Sequence, residues 1–225
     1  MLGLIKHLEK PLRFYEDPVY SVEEKEDIKT FEELVIEFYT ELKKDGYITM
    51  RIPEKEMEED KRIVRFTKTT IDISNKLVKT REFNAEEGWF ILLSLYCWWC
   101  EMIKNLLLDI SMKIYTTLKG KGFRGFMTMY PFVNTMNEYK NGKFSSLFSD
   151  IDVDLRNSFV HGEINFPNNE IEYYGQNGVK KVLKLEDFIS KYKKLAPLYA
   201  TFFAYRLKIF AEEMKEIAKK KGFLN

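Results

Sequence analysis

Apolar residues recur every three or four positions over most of this chain and alternate with polar ones only once, late. Phe31, Leu34, Val35, Phe38 and Leu42 mark one helical face over residues 23–44, the spacing that a 3.6-residue turn requires. That segment begins acidic and ends basic, which complements a helix dipole, and Gly46 is placed to close it. Residues 53–79 predict a second helix that opens at Pro53-Glu54, with a sparser stripe of Ile63, Phe66, Ile73 and Leu77 widened by Ile71 and Val78. Asn84-Ala85-Glu86-Glu87 has the form of an N-cap and an acidic first turn. The helical pattern then continues to about residue 119, apolar on two sides, and predicts a long helix through the centre of the fold. Gly120, Gly122 and Gly125 break it. A further helix is expected over residues 126–139, with Pro131 as a point of interruption. Asn141-Gly142 turns the chain, and Ser149 or Asp150 is the expected cap of a short helix over residues 151–161.

After Gly162 the period changes. Glu163-Ile164-Asn165-Phe166 and Glu170-Ile171-Glu172-Tyr173-Tyr174 alternate around Pro167-Asn168-Asn169, a hairpin signal. Residues 175–178 turn again, residues 180–185 suit a third short strand, and a final helix is expected over residues 186–219 with a kink at Pro197. The first twenty residues hold Pro11 and Pro18 and little periodicity, so an irregular arm is expected there. The fold class read from this pattern is mainly α, a helical bundle with a small antiparallel β-hairpin insertion before the last helix. Residues 1–80 form a helical extension, and residues 81–225 form the bundle, with the hairpin at about 163–185.

Charge narrows the functional classes. The 225 residues carry 36 Lys and Arg against 35 Asp and Glu, a net charge of +1, so no global basic field advertises nucleic acid. Any such binding rests on a local patch. Cys97 and Cys100 form a C-x-x-C pair, but no second ligand pair and no strand-turn-helix context accompany it, and buried inert thiols are expected. The Gly120-Lys121-Gly122-Phe123-Arg124-Gly125 stretch lacks a preceding strand, and its cations do not sit where a phosphate loop places its lysine. It reads as a loop between helices. No metal cluster with sensible ligand spacing and no cofactor are expected. Residues 89–108 are apolar but broken by Glu101 and Lys104, which suits a buried central helix rather than a membrane span. Few cysteines and an opening Met1-Leu2-Gly3-Leu4-Ile5 that meets Lys6, Glu9 and Lys10 at once point to a cytoplasmic protein without a secretory leader. His7, in the arm, reads as a surface residue.

The candidate chemistry lies in Asp154-Leu155-Arg156-Asn157-Ser158-Phe159-Val160-His161-Gly162. Arginine supplies a fixed cationic fork and histidine moves protons near neutral pH. At about 100° per residue, Ile151, Leu155 and Phe159 share a core-facing side, while Arg156 and His161 lie off it, about 140° apart. Asn157 is four residues before His161 and so its neighbour. Val153 and Val160 fall between the Arg156 and His161 directions, opposite the core, where a lone surface helix would present polar groups. That valine pair suits a homodimer contact. Lys121, Arg124, Lys140 and Lys143, with Lys119, lead into this helix and are the candidate RNA-binding cations. Phe123, Phe126, Tyr130 and Tyr139 between them suit either base stacking or core packing. Against this stands a plainer reading, in which Arg156 pairs with Asp152 or Asp154 and His161 caps a helix end.

At these residues the chain resembles the HEPN superfamily, whose signature is an arginine, a polar residue that is commonly asparagine, and a histidine four to six positions after the arginine. Arg156-Asn157-Ser158-Phe159-Val160-His161 fits it, and a trailing glycine such as Gly162 is usual. The resemblance implies a four- or five-helix bundle and metal-independent endoribonuclease activity in a symmetric dimer whose two motif helices face each other. It implies His161 as general acid or base on the RNA 2′-hydroxyl or the leaving 5′-oxygen, Arg156 as the phosphate clamp, and Asn157 as the group that orients either. The products would be a 2′,3′-cyclic phosphate and a 5′-hydroxyl. Subgroups paired with a nucleotidyltransferase antitoxin carry a tyrosine two residues after the histidine, where this chain has Glu163, and nothing in residues 1–80 reads as the Rossmann-like sensor of the nucleotide-sensing branch. An antitoxin or other regulatory protein is a further expected partner, and defence or stress response the expected setting. The alternative that the resemblance leaves open is a non-catalytic helical module that binds RNA, a nucleotide or a partner protein.

Overall fold

The computed structural model describes residues 22–48, 85–122, 127–168 and 170–220. Expectations for the N-terminal arm with His7, for a helix over residues 53–79, and for Asn84, Phe123, Arg124 and Phe126 lie outside the described residues. Among those described, six α-helices and one three-stranded antiparallel sheet form the fold. The helices are α1 (Val22–Lys44), α2 (Ala85–Leu106), α3 (Leu108–Lys119), α4 (Met129–Glu138), α5 (Val153–His161) and α6 (Leu185–Lys220). Between α5 and α6 lie β1 (Ile164–Asn165), β2 (Glu170–Tyr174) and β3 (Lys180–Lys184), paired in the order β1-β2-β3. The chain is therefore mainly helical with a small sheet before its last helix, as its periodicity predicts. Two short 3₁₀ turns, Tyr139–Gly142 and Ser145–Phe148, connect α4 to α5.

One core unites these elements. Val35, Phe38, Tyr39 and Leu42 from α1 meet Leu93, Tyr96 and Ile103 from α2 and Phe188, Leu195 and Phe202 from α6. Phe38 sits at its centre, with the rings of Tyr139, Phe144, Phe148 and Phe202 approaching at steep interplanar angles and centroid distances of 5.2–6.2 Å. That geometry sets the positive edge of one ring against the negative face of another. The Tyr39 hydroxyl donates to the Phe202 carbonyl at 3.2 Å. Helix α1 thus belongs to the same core as the bundle behind it.

The long central helix expected over residues 84–119 is instead two helices, α2 and α3, bent by 65° at Leu107. The cause comes from a hundred residues downstream. Arg206 on α6 donates to the Leu106 carbonyl and reaches Asp109 at 3.7 Å. A side chain that takes a carbonyl out of the backbone ladder bends a helix at that point. Among the described residues no single helix is long and apolar enough to cross a membrane, and α2 and α3 meet that combination of length and composition only together, across the bend. Pro131 falls in the first turn of α4, where its missing N–H has no partner to lose, so α4 is not interrupted.

Helix α5 packs on α2. Phe90 meets Phe159 at one end, with ring centroids 5.2 Å apart, and Tyr96 meets residues 150–152 at the other. The Tyr96 hydroxyl donates to the Asp150 carbonyl at 2.9 Å and accepts from the Asp152 N–H at 2.7 Å. Held there, the chain enters helix at Val153, and the cap is Asp152, whose carboxylate accepts from the Leu155 N–H at 3.0 Å. Ser149 and Asp150, the expected caps, stand too early, because Tyr96 anchors the backbone between them and the first turn.

The sheet is docked on the same helix. Ser158, buried, donates its hydroxyl hydrogen to the Tyr174 carbonyl at 2.9 Å and accepts from the Tyr174 N–H at 3.1 Å. Asp154 accepts from the Tyr130 hydroxyl, from the Gln176 N–H at 3.2 Å and from Lys181 at 2.5 Å. A side chain at Gly175 would place a Cβ 3.2 Å from the Asp154 carboxylate and 3.2 Å from Asn177 Oδ1, so the turn approaches the helix closely here and a larger residue requires these side chains to shift. Ser158→Ala leaves the Tyr174 backbone pair without its partner, and the expected loss is about 1–3 kcal/mol of unfolding free energy, read from urea denaturation followed by circular dichroism.

Candidate functional site

Wedged between α2, α4 and the sheet, α5 buries Leu155 and Ser158 toward the core while Phe159 is half-buried. Its final residues emerge. Val160 is 54% exposed, whereas Val153, two turns earlier, is only 8% exposed and packs in the core. The two valines therefore do not form one exposed strip. Val153 is withdrawn from the expected dimer face because the N-terminal turn of α5 is covered on several sides, while the C-terminal turn is not. Phe90 of α2, 60% exposed, meets the ring of Phe159, the residue before Val160, at 5.2 Å.

Gly162 ends the helix in the left-handed region, at φ 72°. Its N–H bonds the Phe159 carbonyl at 3.1 Å, and the Glu163 N–H bonds that of Ser158 at 2.8 Å. These two bonds are the paired closure that a glycine after a helix makes without a Cβ penalty. They leave His161 exposed on the last turn, with no hydrogen-bond partner among the described residues. Its imidazole is thus not packed into the core of the chain.

Arg156 is the opposite case. One terminal nitrogen donates to Glu101 at 2.6 Å and the other to Asn157 Oδ1 at 2.9 Å. Glu101 also holds Lys104, at 2.6 Å. The arginine side chain is 22% exposed, and its buried Nε–H has no partner among the described residues. Asn157 therefore orients the guanidinium rather than the imidazole. The acid that pairs with Arg156 is neither Asp152 nor Asp154, which cap α5 and hold the sheet, but Glu101, from 55 residues earlier. The signal for it was visible as a lone carboxylate inside the apolar run of α2, although nothing in the sequence told which cation it faces.

The expected cationic support is placed elsewhere. Lys140 pairs with Asp45 at 2.9 Å and Glu41 at 3.4 Å, and Lys143 pairs with Glu37 at 2.6 Å. Both are committed to the acidic side of α1 rather than turned toward His161. Lys119 pairs with Glu138 at 2.7 Å. Lys121 is exposed just beyond α3, and Arg124 lies outside the described residues. Of the aromatic residues on these segments, Tyr139 is buried and Tyr130 is held by Asp154, so both belong to the packing.

Cys97 and Cys100 are buried and unbridged. Burial pushes the Cys97 thiol up to about 12, against the lowering influence of the nearby Arg156 guanidinium, and holds the Cys100 thiol well above its ordinary range. Among the described residues no group of three His, Cys, Asp or Glu side chains is arranged to hold a metal ion. Compared with known protein families, characterised proteins and solved structures, the chain matches none.

Two outcomes are expected from this arrangement. The thiols stay unmodified by iodoacetamide in the native chain at pH 8 and react only on unfolding, since the thiolate is the nucleophile; mass spectrometry reads the difference. Glu101→Ala and Arg156→Ala each destabilise the fold, and a double-mutant cycle by denaturation returns a coupling of about 0.5–3 kcal/mol rather than simple addition.

Proposed function

We propose that this chain is a metal-independent endoribonuclease of HEPN type that acts as a homodimer. The observation that carries the reading is the exposed His161, released by the Gly162 closure at the end of a helix whose other turns are buried. A proton-transfer group needs open access to its substrate, and this imidazole has it.

Within one protomer the site is incomplete. Arg156 and His161 are separated by five residues, which on a helix is about 7.5 Å of rise and about 140° of rotation, so they do not converge on a common atom. A two-fold axis beside Val160 and Phe90 sets the last turn of one α5 against that of its partner, and brings each arginine toward the other protomer's histidine. Covering the two exposed apolar side chains contributes roughly 1.5–3 kcal/mol for each, before the cost of association. His161 then takes the proton of the 2′-hydroxyl, the 2′-oxygen attacks phosphorus, and the bond to the 5′-oxygen breaks. The leaving 5′-oxygen takes a proton from the other protomer's histidine, and the products are a cyclic phosphate and a 5′-hydroxyl. Arg156 stabilises the charge that develops on the phosphoryl oxygens.

A second reading, a non-catalytic HEPN-like module that binds RNA, a nucleotide or a regulatory partner, is favoured by the commitment of Lys140 and Lys143 to α1. The two separate in one experiment. With single-stranded RNA in EDTA, the wild type is expected to leave 2′,3′-cyclic phosphate ends, and His161→Ala and Arg156→Ala to lower the rate by a factor of about 10² or more. Val160→Glu is expected to convert the dimer to a monomer by light scattering and to abolish cleavage with the fold intact. Cleavage that survives the His161 and Arg156 substitutions removes the assigned site; RNA binding without cleavage supports the second reading.

A further inference from the structure

A polar groove of about 470 Å³ opens at Gly162, the residue after His161, and runs between the end of α5 and the β1-β2 edge. Its volume falls within the range of small-ligand sites. The only formally charged side chain among its lining residues is Glu163, accompanied by Ile164, Asn165, Tyr174 and Gln176, with Gly162, Gly175 and Gly178 completing the wall. β1 and β2 pair Ile164 with Tyr173 and Asn165 with Glu172. The same antiparallel register sets position 163 opposite Tyr174 on the outward face of the sheet, since successive side chains alternate.

Three features make this more than a surface hollow. The Tyr174 ring is 41% exposed, yet its backbone N–H and carbonyl are both held by Ser158, three residues before His161. An exposed aromatic residue is therefore anchored by its backbone to the helix that carries the candidate proton-transfer group. Glu163 disfavours a phosphate in the groove, because two anions would face each other, while its carboxylate accepts paired donors. Asn165 and Gln176 are exposed amides that can both donate and accept.

We propose that this groove takes a guanine base of the single-stranded RNA beside the phosphate held at Arg156 and His161, a proposal that rests on the nuclease reading for the position of the strand. Guanine is the one standard base that presents two adjacent donors, N1–H and N2–H, to a single carboxylate. Its O6 accepts from an amide N–H of Asn165 or Gln176. Adenine turns the N1 lone pair toward Glu163, and cytosine turns N3, so both lose one bond and meet repulsion. The ring of Tyr174 stacks on the base. The carboxylate at position 163, an obstacle to backbone binding, becomes the group that reads the base.

The test uses full-length His161→Ala protein, so that binding is read without cleavage. Fluorescence anisotropy in EDTA compares a labelled oligoadenylate with the same strand carrying one central guanine or one inosine, which lacks the N2 amino group. The guanine strand is expected to bind about tenfold tighter than oligoadenylate, with inosine between them. Adding Glu163→Gln reduces the guanine preference to nearly onefold. Adding Tyr174→Ala weakens every strand by about tenfold or more, with circular dichroism unchanged for both variants. Equal affinity for guanine and adenine strands, a preference that survives Glu163→Gln, or no RNA binding at all overturns the proposal. Guanine preference with no cleavage by the wild type retires the nuclease and leaves the groove; cleavage without base preference retires the groove alone.

Discussion

The structure around the motif depends on one hydroxyl. Tyr96, buried in α2, bridges the Asp150 carbonyl and the Asp152 N–H, and so determines where α5 begins. Asp152 then caps the helix with one carboxylate oxygen and accepts from Tyr173 with the other, at 2.7 Å. Burial and that carboxylate hold the Tyr173 hydroxyl well above its ordinary range, which keeps it protonated as a donor. Central helix, motif helix and sheet are thereby joined at a single point with all donors matched to acceptors. Because a buried polar group without a partner costs far more than a matched pair gains, the node specifies one register for all three elements.

From that node the two ends of α5 diverge in character. Its first turn is enclosed, with both Asp152 and Asp154 given over to holding the sheet and α4. Its last turn is released by Gly162 and carries an open imidazole beside Val160. Rigid support behind and an open edge in front are what a reactive group requires, since positioning depends on the supporting contacts rather than on the group itself. The same logic extends to Tyr174, whose backbone is clamped to the helix while its ring faces out. Among the described residues Lys119, Lys140, Lys143, Lys180 and Lys181 are all paired with carboxylates, so the proposed substrate contact relies on base recognition and on the arginine rather than on a broad phosphate-binding field.

Much of the fold was legible along the chain. Helices α1, α2, α4 and α6 follow from apolar spacing, the sheet from the switch to alternation, and the end of α5 from Gly162. The motif residues were legible by type and spacing. Their surroundings were not. The bend at Leu107 depends on Arg206, a hundred residues away; the cap at Asp152 depends on Tyr96; and the partner of Arg156 is Glu101. Each arises from a contact between segments that no local pattern encodes. Val153 misled for a related reason. A helical projection assumes one covered face, whereas α5 is covered differently at its two ends.

Local order was thus set by the sequence alone, because propensity, capping and periodicity act within a few residues of one another. It determined which segments are helical, where the chain turns to strand, and that an arginine, an asparagine and a histidine share one short helix. Tertiary structure decided which of those groups remain open. The acidic side of α1 claimed Lys140 and Lys143, Glu101 claimed Arg156, and His161 was left exposed. Charges find the nearest opposite charge in space, and distance in space is what a linear sequence does not carry.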